Sequence, residues 1–180
     1  MKQSRTVRCI VSALLYFLVL LFTLSLLVNF LLWVNDYYIN ISGSIPKGIY
    51  RLSPAHEPKR NDLVMVCLPE SISRNAFQHG YIFSGKCHGK YAPVGKYVAA
   101  LAHDIVSIGN DGISVNQVHL SYSRPHNIPR INHLFVVNRI LKNSEILLYS
   151  PKSNSYDSRY FGIADTSWII GKIEPVWLIY

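Results

Sequence analysis

The dominant feature of the hydrophobic pattern is an uncharged apolar run near the N-terminus. Residues 9–34 form 26 consecutive positions without Asp, Glu, Lys or Arg, and the first acidic residue is Asp36. As an α-helix rising about 1.5 Å per residue, this run would reach about 39 Å, and the hydrocarbon core of a bilayer is about 30 Å thick. The run therefore predicts one transmembrane anchor, over residues 9–35, in contact with the lipid bilayer.

The charges that precede the run predict its direction. Lys2, Arg5 and Arg8 lie before it, with no acidic residue among them. Basic residues tend to stay on the cytoplasmic side, so residues 1–8 are predicted to be cytoplasmic and residues 36–180 periplasmic. A cleaved signal peptide is the alternative, but its apolar part is usually about 7–15 residues long. The small residues 42–44 resemble a cleavage site, yet they lie too far from the run, which favours an uncleaved anchor.

Beyond the anchor, the apolar residues come in short runs of strand length, without a sustained helical period. These runs lie at 49–52, 63–68, 94–101, 105–108, 113–118, 146–149 and 168–173. Asn110-Asp111-Gly112 separates two of them and predicts a hairpin, because Asp-Gly favours positive φ. We predict one all-β domain over residues 36–180, with residues 69–92 as an inserted glycine-containing loop.

Composition and charge narrow the functional classes. The chain is 49% hydrophobic and 16% charged, which excludes a disordered protein. It carries 18 basic and 10 acidic residues; without the three N-terminal basic residues the net charge is +5. This charge suits a surface that faces anionic headgroups or substrates. Since no arginine-rich helix or alternating aromatic and basic stripe is present, nucleic acid is not a predicted partner.

Three short segments carry candidate chemistry. They read Ser-Gly-Ser-Ile-Pro-Lys-Gly-Ile-Tyr at 42–50, Lys-Tyr-Val-Ala-Ala-Leu-Ala-His-Asp-Ile-Val at 96–106 and Ser-Tyr-Asp-Ser-Arg-Tyr-Phe-Gly at 155–162. Singly, they are typical of an exit loop, an edge strand and a surface ion pair. Together and in this order, they resemble the signal peptidase I family of serine–lysine proteases. The resemblance is closest to its conjugative-transfer, TraF-type branch, whose motif is Ser/Thr-x-Ser-x-Pro-x-Gly-Leu/Ile-Tyr.

The resemblance implies an all-β, signal peptidase-like catalytic domain with Ser44 as nucleophile and Lys96 as general base. A serine hydroxyl needs a neighbouring base to remove its proton. Lysine performs this role only when neutral, and burial lowers its pKa from about 10.4. We expect Val94, Tyr97 and Val98 to supply apolar surroundings for Lys96. No metal or organic cofactor is expected.

The resemblance also implies supporting residues. Ser42 corresponds to a helper whose hydroxyl joins the Ser44 backbone N–H in the oxyanion hole. Ser155 corresponds to a serine that orients the lysine, and Asp157 and Arg159 correspond to a pair that braces the site. His103 departs from the family, which often has glycine there, so a turn requiring positive φ would force His103 into an uncommon conformation.

The histidines offer a different catalytic possibility. A Ser-His-Asp triad with Ser44 is an alternative to the lysine dyad, although no surrounding motif favours any one histidine. The seven candidates are His56, His79, His88, His103, His119, His126 and His133.

The cysteines predict a disulfide. Cys67 ends an apolar run and Cys87 lies in the glycine-containing loop, and both are expected in an oxidising compartment. Two free thiols, or a zinc site that adds His79 and His88, are the alternatives, but the spacing fits no compact zinc pattern. Cys9, at the membrane edge, is predicted to be unpaired.

These observations predict a bacterial inner-membrane serine endopeptidase. The resemblance implies that it cleaves signal or propeptides from exported, pilin-like or signal-peptide-bearing precursors, with small residues before the cut, in conjugative transfer. A catalytically silent homologue that acts as a scaffold in a secretion or conjugation assembly is the alternative. A pilin-like structural subunit is a third possibility, but it gives no reason for the Ser44 and Lys96 motifs.

Overall fold

The computed structural model describes residues 2–34, 36–54, 57–126 and 136–179. The chain forms two compact units, Met1–Tyr38 and Ile39–Tyr180. The first unit contains α1, Lys2–Val34. Within it, Val7–Leu31 has a mean hydropathy of 2.6 and none of its most apolar stretch is buried. By length and composition, this helix is a candidate membrane span.

Beyond α1, the described residues form two β-sheets and a short strand, β4, that belongs to neither. The strands are β1 Tyr37–Asn40, β2 Gly48–Ser53, β3 Leu63–Val66, β4 Ser84–Cys87, β5 Val94–Ala100, β6 Ile105–Gly109, β7 Gly112–Val115, β8 Val118–His119, β9 Val137–Ile140, β10 Glu145–Tyr149, β11 Ala164–Asp165 and β12 Ile169–Leu178. The larger sheet has the order β1-β2-β12-β3-β5-β10-β11, and the smaller has the order β8-β7-β6-β9. The predicted β-rich domain is therefore confirmed.

The hairpin between β6 and β7 lies where the Asp-Gly pair predicted it. Gly109 pairs with Gly112 across the turn. The positive φ, 118°, belongs to Gly112, and a Cβ there would lie 2.4 Å from the Ser123 hydroxyl oxygen. Glycine is therefore required at this position for both backbone conformation and space.

The predicted inserted loop at 69–92 was wrong in part. This segment contains a helix, α2 Glu70–Gln78, the strand β4 and a 3₁₀ turn at His88–Lys90. Ser73 and Ala76 of α2 are buried and Ile72 packs against the core beside them, but nine residues are too few to establish a helical period. A second short helix, α3 Ser158–Phe161, lies in the third motif.

Strand β10 is buried on both faces and separates two hydrophobic cores. Ile146 and Leu148 belong to one cluster, and Leu147 and Tyr149 belong to the other. Side chains of a strand alternate between its faces, so the four consecutive residues between the two cores, 146–149, are all apolar or aromatic. β10 ends at Tyr149, and Ser150, the next residue, is the first of the polar residues near the candidate site.

Candidate active site

Ser44 lies in the loop between β1 and β2, and side chains from distant parts of the sequence hold it. The Ser155 hydroxyl donates to Ser44 Oγ at 3.2 Å. The Ser150 hydroxyl donates to the Ser44 carbonyl oxygen. Ile45, the next residue, is 4% exposed, so the loop is fixed to the domain at this point. The nucleophile candidate is half-buried and oriented from both its side chain and its backbone.

Close packing ties this loop to the strand that carries the lysine candidate. A Cβ added at Gly95 would lie 2.8 Å from Ile45 Cδ1. Gly95 thus leaves the space that the Ile45 side chain enters. Because Gly95 directly precedes Lys96, the contact holds the Ser44 loop against the same end of β5.

Lys96 is buried near the middle of the larger sheet, with 2% of its surface exposed. It pairs with Val64 of β3. On its other side, Tyr97 pairs with Tyr149, so the same register brings Ser150 opposite Lys96. Since Ser150 also contacts Ser44, this register brings the two candidates to one region of the sheet. Within the described residues, the Lys96 side chain makes no hydrogen bond or ion pair, so its ammonium group is not bonded to Ser44.

The burial of Lys96 has an electrostatic consequence. Removal from water lowers the pKa of Lys96 to about 8, compared with 10.5 for an exposed lysine. The negative charge of Asp157 opposes this shift, and the positive charge of Arg159 adds to it. A substantial fraction of Lys96 is therefore neutral at mildly alkaline pH, as a general base requires.

Asp157 and Arg159 form a fully buried ion pair. Arg159 Nε and Nη2 donate to the two Asp157 carboxylate oxygens at 2.7 and 2.6 Å. Asp157 also accepts from the backbone N–H groups of Ser150 and Arg159. Arg159 donates to the carbonyl oxygen of Lys152 at 2.8 Å and to those of Ser150 and Ser153 at 3.3 Å. The pair therefore fastens together the segments that carry Ser150 and Ser155.

Ser42 occupies a different environment from the one expected of an oxyanion donor. Its side chain is exposed, and its hydroxyl donates to Asn40 Oδ1 at 2.7 Å. A hydroxyl has one proton to donate. Ser42 must therefore release Asn40 before it can stabilise an oxyanion.

His103 adopts the uncommon conformation considered for it, with φ of 72°. Its backbone N–H donates to Leu141 O at 2.9 Å, and its side chain is exposed. The adjacent Asp104 accepts hydrogen bonds from Arg60, Asn116 and the Leu101 N–H. The turn is thus held by its neighbours and not by a glycine.

The alternatives based on histidine and metal receive no structural support. Among the described histidines, none forms a hydrogen bond with Ser44, and His56 and His133 lie outside the described residues. His79 Nδ1 contacts the Asn75 carbonyl oxygen, and His88 lies 3.3 Å from Glu70. Where the structure is described, no group of three or more His, Cys, Asp or Glu side chains could hold a metal ion.

Cys67 and Cys87 form a disulfide, the pairing expected from the sequence. Their Cα atoms lie 5.5 Å apart. The bond joins the residue after β3 to the end of β4, and so closes the segment that contains α2. Because the two sulfur atoms are bonded to each other, they are not available as thiolate ligands for zinc. Cys9 is free.

A cavity of about 630 Å³ lies beside the site and contains none of the predicted site residues. Tyr97, Val98 and Ala99 of β5 line this cavity, and Lys96 does not.

Sequence reasoning missed three residues at the site. Asn40 and Ser150 hold the Ser44 loop, and Gly95 makes room for Ile45. Asn40 had a local signal, since an asparagine two residues before an exposed serine favours an Asx-type turn. Ser150 and Gly95 had none, because their partners are distant in the sequence.

Comparison with known sequences establishes the family. The profile described as "Signal peptidase, peptidase S26" matches residues 7–178. The chain therefore belongs to the signal peptidase family, peptidase S26, and this membership supports a peptidase. The candidate span and the family together are consistent with a membrane-anchored protein.

Curated relatives carry names from conjugation. The chain is 36% identical over 147 residues to "Plasmid transfer protein TraF" of Escherichia coli, covering 77% of this chain and 80% of that protein. It is 34% identical over 150 residues to "Probable conjugal transfer protein TraF" of Sinorhizobium fredii, covering 80% and 78%. Among solved structures, a signal peptidase I from Enterococcus faecalis matches with a TM-score of 0.39 and 18% identity, over 68% of this chain and 100% of that chain.

Proposed function

We propose that the protein is a membrane-anchored serine endopeptidase in which Ser44 is the nucleophile and Lys96 the general base. The observation that carries the proposal is the buried Lys96, whose pKa is about 8 and which has no ion-pair partner among the described residues. Burying an ammonium group without such a partner is costly for folding. A protein that served only as a scaffold would gain nothing from a buried lysine without an ion-pair partner.

The mechanism follows from the donors and acceptors around Ser44. Because Ser155 donates to Ser44 Oγ, the proton of Ser44 is free to be donated to another acceptor. Neutral Lys96 Nζ accepts that proton as Ser44 Oγ attacks the scissile carbonyl carbon. The resulting ammonium group then gives the proton to the leaving amine, and an acyl-enzyme remains on Ser44. Water, activated by the neutral lysine, hydrolyses this ester and regenerates both groups.

The oxyanion formed in each step needs donors. The Ser44 backbone N–H and the Ser42 hydroxyl are the proposed pair, and Ser42 reaches the oxyanion after releasing Asn40. Loss of one such donor typically lowers the rate by about 10²–10³. The Asp157–Arg159 pair is proposed to brace the segment that presents Ser155.

The proposed substrates are exported precursors that carry a signal peptide or are pilin-like, processed during conjugative transfer. The names of the curated relatives support this role. The proposed location is the bacterial inner membrane, with residues 1–8 in the cytoplasm and residues 36–180 in the periplasm as the peptidase domain. The basic residues before the apolar run support this orientation.

The test uses the full chain reconstituted in vesicles with a tagged precursor. Wild type should cleave it, and Ser44→Ala should not. Lys96→Arg should be as inactive as Lys96→Ala, because an arginine at this position cannot lose its proton. Lys142→Arg, at an exposed position outside the site, is the matched control and should retain activity. Substantial cleavage by Lys96→Arg would eliminate lysine as the base. A wild type inactive on every precursor would support the scaffold alternative.

A further inference from the structure

The loop that carries Ser44 has little backbone support of its own. Of the turn and loop hydrogen bonds between backbone groups in the described residues, none belongs to residues 41–46. The loop is also exposed at Ile41, Ser42 and Gly43. Its conformation must therefore be fixed by side chains, since Ser44 has to present its hydroxyl at a defined position.

One side chain supplies most of this support. Asn40 Nδ2 lies within hydrogen-bond distance of the carbonyl oxygens of Ser42, Ile45 and Pro46, at 3.2, 3.1 and 3.0 Å. Asn40 Oδ1 accepts from the Ser42 backbone N–H at 3.1 Å and from the Ser42 hydroxyl at 2.7 Å. These contacts fall on both sides of Ser44.

We propose that Asn40 is a positioning residue, which fixes the backbone of residues 42–46 and so orients Ser44 and its N–H group. The inference rests on the proposed function, in which both the hydroxyl and the N–H group of Ser44 act on the substrate. The N–H direction depends on the peptide plane between Gly43 and Ser44. Contacts to the carbonyl groups of Ser42 and Ile45 restrict the rotation of that plane.

The chemistry of the contact requires an amide and not a carboxylate. Asparagine is both donor and acceptor, whereas ionised aspartate only accepts. Aspartate has almost the same shape and would keep the acceptor for Ser42, but it would set a negative oxygen against three carbonyl oxygens. Asn40→Asp should therefore disturb the loop at least as much as Asn40→Ala does.

The experiment compares Asn40→Ala and Asn40→Asp with wild type in the full, reconstituted chain. Displacing a reacting group by about 1 Å costs roughly 10²-fold in rate, so kcat should fall by about that factor in both variants, with KM changed only a few-fold. The matched controls, Asn138→Ala and Asn138→Asp, alter an exposed asparagine of β9 and should leave kcat unchanged.

A second measurement separates this inference from the proposed function. Hydrogen exchange of the Ser42 amide should accelerate about fivefold in Asn40→Ala, whatever the activity. If wild type is active and Ser44→Ala is not, kcat within twofold of wild type in Asn40→Asp overturns the positioning role. A defect confined to KM also overturns it. If wild type cleaves nothing, the proposed function fails, and unchanged exchange at Ser42 then refutes the role of Asn40.

Discussion

Replacing Lys96 by methionine should stabilise the protein near neutral pH while abolishing cleavage. Methionine has a similar length and no charge, so it fills the same space without the cost of burying an ammonium group. Burial lowers the pKa of Lys96 from 10.5 to about 8 in the folded chain. The folded state therefore binds this proton less tightly than the unfolded state does.

The sign of the pH dependence follows from this difference. Below pH 8 both states are protonated and the full cost of burial is present, whereas above pH 10.5 both are neutral and the cost is absent. Wild-type stability should thus increase between these values. At about 1.4 kcal/mol per pKa unit, the cost is about 3 kcal/mol at pH 7 and about 1.5 kcal/mol at pH 9.5. The stability advantage of Lys96→Met should narrow by about 2 kcal/mol over this range.

The assay is urea unfolding of the full chain in detergent micelles at pH 7 and 9.5, followed by tryptophan fluorescence with the disulfide kept oxidised. Comparing variant with wild type at each pH cancels the titration of the tyrosines, which is common to both. Lys142→Met, at an exposed lysine, should show no such pH-dependent difference. A Lys96→Met protein that is no more stable than wild type at pH 7, or an advantage that stays constant with pH, would refute the reasoning.

Three further predictions concern the supports of the site. Gly95→Ala should lower kcat about tenfold, because the added Cβ displaces Ile45. Gly109→Ala, where a Cβ has open space, is the control and should leave kcat unchanged. Equal kcat values in the two variants would contradict the packing argument. Asp157→Asn leaves the buried Arg159 without its counterion and should lower the free energy of unfolding by about 3–5 kcal/mol, measured by chemical denaturation. A decrease below about 1 kcal/mol would contradict a structural role for this ion pair. His103→Gly should stabilise the folded protein by about 0.5–1 kcal/mol, because glycine adopts a positive φ without strain. A lower melting temperature than that of wild type would disprove this.

The sequence already contained much of the fold because the decisive signals are local. A long uncharged apolar run predicts a helix by composition alone, and short apolar runs with a turn pair between them predict strands. Helix α2 was missed because it is only nine residues long, shorter than the window of about 11–18 residues over which a helical period is recognised. A helix stabilised through so few buried positions is visible only once its contacts are known.

The burial of Lys96 shows where local reasoning stops. The expected apolar surroundings included Tyr97, yet adjacent side chains of a strand point to opposite faces, so Tyr97 lines the neighbouring cavity. The strands on either side of β5 bury Lys96 instead. Val64 of β3 pairs with Lys96, and the register of β10 brings Ser150 opposite it. The pKa of about 8 is thus a property of the sheet and not of the segment that contains the lysine.

The sequence by itself determined the long apolar helix, the strand-forming segments and the motifs that resemble a peptidase family, and it predicted the pairing of Cys67 with Cys87. Tertiary structure decided which polar residues support Ser44. Ser150 and Ser155 lie 106 and 111 residues away along the chain, and Asn40 contacts the loop only because the loop turns back over it. The physical reason is that hydrogen bonds depend on distances in space, and those distances are set by strand register, which no single segment contains.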